Sequence, residues 1–165
     1  MKMHQSPLPY YQSYTACASQ VEMRLFIAIG AHKNYIIGDG DAINAYAQSP
    51  PPEEPTFVRI DKQCADWYLS KYGVAVDRRK VLPVLHALQG HPESGALWAK
   101  QISGILSAMG FISLKRDPCI FKGVIGTNEV LICKQVDDFQ IDSKHRETID
   151  QVILQIGGRV RFIVN

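Results

Sequence analysis

Two adjacent acids, Asp137 and Asp138, stand between two apolar segments, residues 130–136 running in and 139–141 running out. Apolar segments of this length flanking a polar pair read as two strands of a hairpin with the carboxylates at its tip. An Asp pair between strands is ordinarily a solvated turn, because Asp forms turns readily. Here the flanks are strongly apolar, and no glycine adjoins the pair to make a simple tight turn. The pair is therefore expected at the mouth of a buried sheet.

A second placement of acids constrains the fold further. Asp39 and Asp41 lie near the end of a predicted strand over residues 34–43. Residues i and i+2 share one face of a strand, so both carboxylates are expected to point the same way. Like charges about 4 Å apart repel by roughly 1 to 4 kcal/mol between the dielectrics of water and a protein surface. Clustered acids of this kind are a poor stabilising device, and the pattern points to a cation site. Magnesium prefers carboxylate oxygens and keeps several waters. Phosphoryl transfer to a hydroxyl commonly uses two such ions about 3.5–4 Å apart. A metal-dependent nuclease also fits strand-borne acids, but such sites commonly add a Glu, and none occupies a comparable position near Asp41 or Asp137.

The rest of the chain alternates helices and strands. Residues 19–31 read as a helix through Val21, Leu25, Ile27, Ala28 and Ile29. A short helical turn over 42–48 stops at Pro50-Pro51-Pro52. Residues 56–60 read as a strand, and 63–72 as a short helix ending at Gly73. Residues 81–88 are apolar and fit strand or helix. The clearest helix covers 93–109, where Trp98, Ile102, Ile105, Leu106 and Met109 form one stripe that Gly110 ends. Strands are expected over 119–124 and 130–136, a helix over 145–156, and a strand starting at 160. The first dozen residues are polar and proline-bearing and read as loose.

Composition excludes several classes. At 165 residues, 46% hydrophobic and 21% charged, the chain suits one globular domain with a real core. No apolar run approaches the roughly 18 residues a membrane span needs, and the N-terminus lacks a secretory signal. An intracellular setting is expected, cytoplasmic or nuclear, with no membrane partner. The four cysteines are scattered without zinc spacing and read as free thiols. The net charge of +2 is too mild to argue for nucleic acid by itself. A chain that ends inside an apolar strand, as at residues 160–164, reads as a piece of something longer.

Four blocks resemble a known family. Asp41-Ala42-Ile43-Asn44-Ala45-Tyr46 resembles the first catalytic motif of reverse transcriptases, an Asp followed four residues later by Ala and an aromatic. Leu85-His86-Ala87-Leu88-Gln89-Gly90-His91-Pro92, with Trp98 beyond it, is similar to the L-Y-G-L-K-Q-x-P…W block of the copia group. Gly110-Phe111 followed by Asp117-Pro118-Cys119-Ile120-Phe121 resembles that group's GF…DPCLY stretch. Gln135-Val136-Asp137-Asp138 resembles its Y-V-D-D box. The blocks stand in the family's order over roughly residues 24–141. Taken together they resemble the reverse transcriptase of a copia-type long-terminal-repeat retrotransposon.

The resemblance implies an α+β fold: a palm-type antiparallel sheet carrying the carboxylates, helices packed on one face, and partial fingers. Residues 1–165 would form a single reverse transcriptase domain fragment lacking the thumb. It implies RNA-directed DNA polymerase activity, with two Mg²⁺ ions (or Mn²⁺) as cofactors. Asp41, Asp137 and Asp138 would be catalytic metal ligands, with Asp137 the second ligand position and Asp138 its less essential neighbour, and with Asp41 rather than Asp39 as the first because only Asp41 is followed by Ala45-Tyr46. Tyr46 would sit under the sugar of the incoming nucleotide and exclude a 2′-hydroxyl. Gln89 would lie near that nucleotide, and Gln135 would abut the primer end in place of the usual Tyr. Implied partners are an RNA template, a DNA primer, deoxynucleoside triphosphates, and the integrase and RNase H of an intact polyprotein. Some family features differ: the stretch between Pro92 and Trp98 is about three residues longer than usual, and the upstream basic segment is not recognisable. An alternative expectation is an inactive transposon remnant that keeps the palm fold and at most weak nucleic-acid binding.

Overall fold

The computed structural model describes residues 15–164, and the expectation of a loose N-terminal dozen lies outside them. In chain order the elements are α1 (Gln20–His32), β1 (Ile36–Ala42), a 3₁₀ turn (Ala45–Gln48), β2 (Phe57–Val58), α2 (Lys62–Tyr72), β3 (Leu82–Pro83) and α3 (Ser94–Ala108). Then follow β4 (Ile112–Ser113), β5 (Ile120–Ile125), β6 (Asn128–Gln135), β7 (Asp138–Ser143), α4 (Arg146–Gly157) and β8 (Phe162–Val164). The class is α+β, as expected. Six strands form one antiparallel sheet in the order β4-β5-β6-β7-β1-β8, and β2 pairs with β3 as a separate ribbon.

Helix boundaries follow local chemistry. Ser19 caps α1 with a full capping box, its hydroxyl accepting from the Glu22 amide while the Glu22 carboxylate accepts from the Ser19 amide. Asp61 caps α2 by accepting from the Cys64 amide, and Gly73 closes that helix at φ +68°.

The main core lies between one face of the sheet and helices α3 and α4. Trp98, Ile102 and Leu106 of α3 and Ile149, Val152 and Ile156 of α4 are buried against Ala42, Phe121, Val130, Ile132, Phe139 and Ile141. Gly38 of β1 allows α4 this close approach, since a Cβ there would sit 2.5 Å from a methyl of Ile149, while Gly40 leaves room for the Phe162 ring of the neighbouring β8.

The expectation of helices on one face only is corrected by α1, which packs on the carboxylate-bearing face. Phe26 of α1 is buried with Ile120, Leu131 and Cys133. The cause lies in β6, where residues 130–134 are buried in an unbroken run. A strand that is apolar on both sides needs cover on both sides. The apolar pattern of α1 also misleads about its inward face. Phe26 and Gly30 point inward, whereas Val21, Leu25, Ile27 and Ile29 are exposed.

Candidate functional site

The expected hairpin is present. Gln135 of β6 pairs with Asp138 of β7, leaving Val136 and Asp137 as the two turn residues. The turn is made without glycine, and its first residue, Val136, adopts φ +55°. A β-branched residue in that region is strained, by about 1–3 kcal/mol. Two hydrogen bonds hold the turn in place. The Ala42 amide donates to the Asp137 carbonyl at 2.9 Å. The indole Nε1–H of Trp98 donates to the Val136 carbonyl at 2.6 Å. Trp98 is fully buried, so it belongs to the core stripe and also steadies the site.

The sheet register brings the predicted acids together. On β1, Asp39 faces Gln140 and Asp41 faces Asp138 across the β1–β7 ladder. Directly opposed residues hold their Cβ atoms roughly 4.5–5.5 Å apart. Asp137 is the next residue, in the turn. Partial burial pushes the Asp41 carboxyl above its usual range, and the charges of Asp137 and Asp138 push it in the same direction. Among the described residues, however, no three His, Cys, Asp or Glu side chains converge as a ready-made metal cage. The three carboxylates are neighbours presented in two directions. Asp138 lines a hollow on the α1 side of the sheet with Gln135, Asp39 and Gln140. Asp137 turns to the adjoining cleft.

That cleft, of about 460 Å³, joins three of the predicted residues: Tyr46, Gln89 and Asp137, with Val136, Asn44 and Leu88 beside them. Tyr46 arrives on the 3₁₀ turn, which begins after Asn44 at φ +51°. Gln48 steadies that turn, its amide donating to the Ile43 carbonyl at 2.7 Å. The Gln89 loop is tied down on both sides. The Ala87 amide donates to the Ser49 carbonyl at 3.3 Å, and the Ser94 hydroxyl donates to the Leu88 carbonyl at 2.6 Å. Gln135 does not enter this cleft and lies with Asp138 in the hollow.

The donor set suits a hard cation in part. Opposed aspartates beside open space supply oxygen ligands, and magnesium needs only one or two carboxylates because it keeps its waters. Asp41 and Asp138 would hold one ion between them, with Asp137 reaching from the cleft side.

One acid escaped the sequence reading. Asp142, on the same sheet face as Asp138 and Gln140, is fully buried under α1. Burial pushes its carboxyl up to about 6, against the Gln140 amide that donates to both its oxygens. The period-2 alternation Asp138, Gln140, Asp142 was readable, but the cover that α1 provides was not. Two thiols are similarly withdrawn: burial raises Cys119 to about 11 and Cys133 to about 12, so both stay protonated near neutrality.

An antiparallel sheet with opposed carboxylates at a braced hairpin, beside a cleft walled by an aromatic ring, defines an α+β domain with a candidate cation and ligand site. Comparison with models of known families, with curated proteins and with solved structures finds no match to this chain. Among the described residues no helix is long and apolar enough to cross a membrane.

Proposed function

We propose that the chain is the palm core of an RNA-directed DNA polymerase of the copia retrotransposon type. The observation that carries the reading is the register of Asp41 against Asp138, with Asp137 in the adjoining turn beside Tyr46 and Gln89. In this reading the primer 3′-hydroxyl attacks the α-phosphorus of a deoxynucleoside triphosphate, a new phosphodiester bond forms, and pyrophosphate leaves. Two divalent ions, when bound, would supply charge neutralisation and activation of the attacking oxygen. The chain's own residues do the rest. Asp41 and Asp138 present the carboxylates that would hold a cation. Asp137 extends that negative edge into the cleft. Tyr46 walls the place of the sugar, where a ring discriminates against a 2′-hydroxyl. Gln89 offers an amide to the bound nucleotide, and Gln135 lies on the Asp138 side, where the primer terminus would rest. Template and primer would be held mainly through phosphates and A-form shape.

A second reading, a palm-type remnant that no longer polymerises, is favoured by one observation: the three carboxylates do not converge on a common point among the described residues. Magnesium-dependent extension of a DNA primer on an RNA template separates the two. The polymerase reading expects extension with deoxynucleotides that stops when the metal is chelated. The remnant reading expects no extension and at most weak binding of the primer.

A further inference from the structure

Helix α2 has almost no core to rest on. Of its residues only Ala65 is buried, while Trp67, Tyr68, Leu69 and Tyr72 are 38–53% exposed. An isolated helix of about this length is marginal in water. Its aromatics nevertheless form an ordered cluster on one face. Trp67 meets Tyr72 edge-on with centroids 6.0 Å apart, and Tyr68 lies 4.7 Å from Tyr72. The Lys71 ammonium stands over two of these rings, 4.9 Å from the Trp67 centroid and 5.4 Å from that of Tyr72.

The charge of the surrounding segment is one-sided. Residues 56–85 hold Arg59, Lys62, Lys71, Arg78, Arg79 and Lys80 against three aspartates, a net of +3 in a chain whose whole net is +2. All six basic side chains are exposed. The segment springs from the rim of the cleft: its return strand leads to Ala87, which bonds back to Ser49, and then to Leu88 and Gln89 in the cleft wall. Protein interfaces are depleted in lysine at their centres. A lysine set among exposed rings on a basic segment instead matches unpaired nucleic acid, whose bases stack on aromatics and whose phosphates need cations.

We propose that the α2 face of Trp67, Tyr68, Lys71 and Tyr72 is a stacking platform for single-stranded nucleic acid. The identification of that strand as the unpaired template rests on the polymerase reading, whereas the binding itself does not. The test is fluorescence anisotropy of a labelled oligouridine 12-mer with the full chain, without metal or nucleotide, at low and moderate salt. The expected result is salt-sensitive binding that weakens about 10-fold or more in Trp67→Ala/Tyr72→Ala. Lys71→Gln should weaken it less and flatten its salt dependence. Because these side chains are exposed, circular dichroism melts of the variants should match the parent's main transition. Equal affinity of parent and double variant overturns the proposal, as does no binding by the parent. Self-association of the parent that the double variant loses, with oligouridine affinity unchanged, would assign the face to protein and also overturn it. If binding behaves as expected while no primer extension occurs, the polymerase reading fails and the platform stands.

Discussion

Trp98 donates its indole proton to the Val136 carbonyl at 2.6 Å, so the buried stripe of helix α3 grips the turn that carries Asp137. The grip holds a backbone that resists its own conformation, because Val136 sits at φ +55°. On the other side the Ala42 amide holds the Asp137 carbonyl. The strand that carries Asp41 and the hairpin that carries Asp137 and Asp138 are thus locked to each other through backbone, independently of their charges.

Trp98→Phe tests the grip. It leaves the half-buried Val136 carbonyl without its donor and opens a small void. The expected loss is about 1–3 kcal/mol in urea denaturation, from a partly buried acceptor left without its donor plus lost ring volume. A loss below about 1 kcal/mol would mean that water replaces the indole and the turn needs no brace.

At Val136 the usual ranking of small residues should invert. Glycine in a strand-rich region is ordinarily less stable than alanine by about 0.5–1 kcal/mol. At φ +55° alanine retains the strain that glycine escapes. Thermal melts are expected to place Val136→Gly above Val136→Ala. The opposite order would show that the turn relaxes when the valine is removed.

Asp142 gives the fold a pH dependence of definite sign. Its folded pKa, about 6, lies above the ordinary value of 3.8. The protonated form is therefore favoured by folding: its contribution is full below about pH 4 and is lost as pH rises through 6. The loss is at most about 3 kcal/mol by linkage. Asp142→Asn keeps an acceptor for Gln140 and should be more stable than the parent at pH 8, with little difference at pH 4. Parallel stability curves across that range would contradict the assignment.

Asp41 titrates in the same direction, raised first by burial and then by Asp137 and Asp138. Its ionised form is disfavoured by folding at neutral pH. Without metal, Asp41→Asn should melt at or slightly above the parent temperature. A clear fall in melting temperature would make this carboxylate a structural group.

Much of this architecture was legible in the sequence. The α3 stripe, the hairpin around Asp137-Asp138 and the shared face of Asp39 and Asp41 follow from periodicity, which local geometry enforces. The facing of Asp41 and Asp138 was not legible, because register between β1 and β7 depends on pairing across about a hundred residues. The inward face of α1 was misjudged for a similar reason: Phe26 and Gly30 are chosen by what β6 and Asp142 present, not by the helix's own apolar count. The turn at Val136 defied local rules, since no glycine marks it, and the buried Trp98 bond that holds it joins residues far apart in sequence.

The most direct test compares Asp41→Asn with Asp39→Asn in magnesium-dependent extension of a DNA primer on an RNA template. Both acids share a strand face, but only Asp41 opposes Asp138. The parent is expected to extend the primer, Asp41→Asn to reduce extension by about 1,000-fold or more, as loss of a transition-state charge partner does, and Asp39→Asn to stay within about 10-fold of the parent. Equal effects of the two substitutions, or no extension by the parent, would contradict the assignment of Asp41 to the polymerase site.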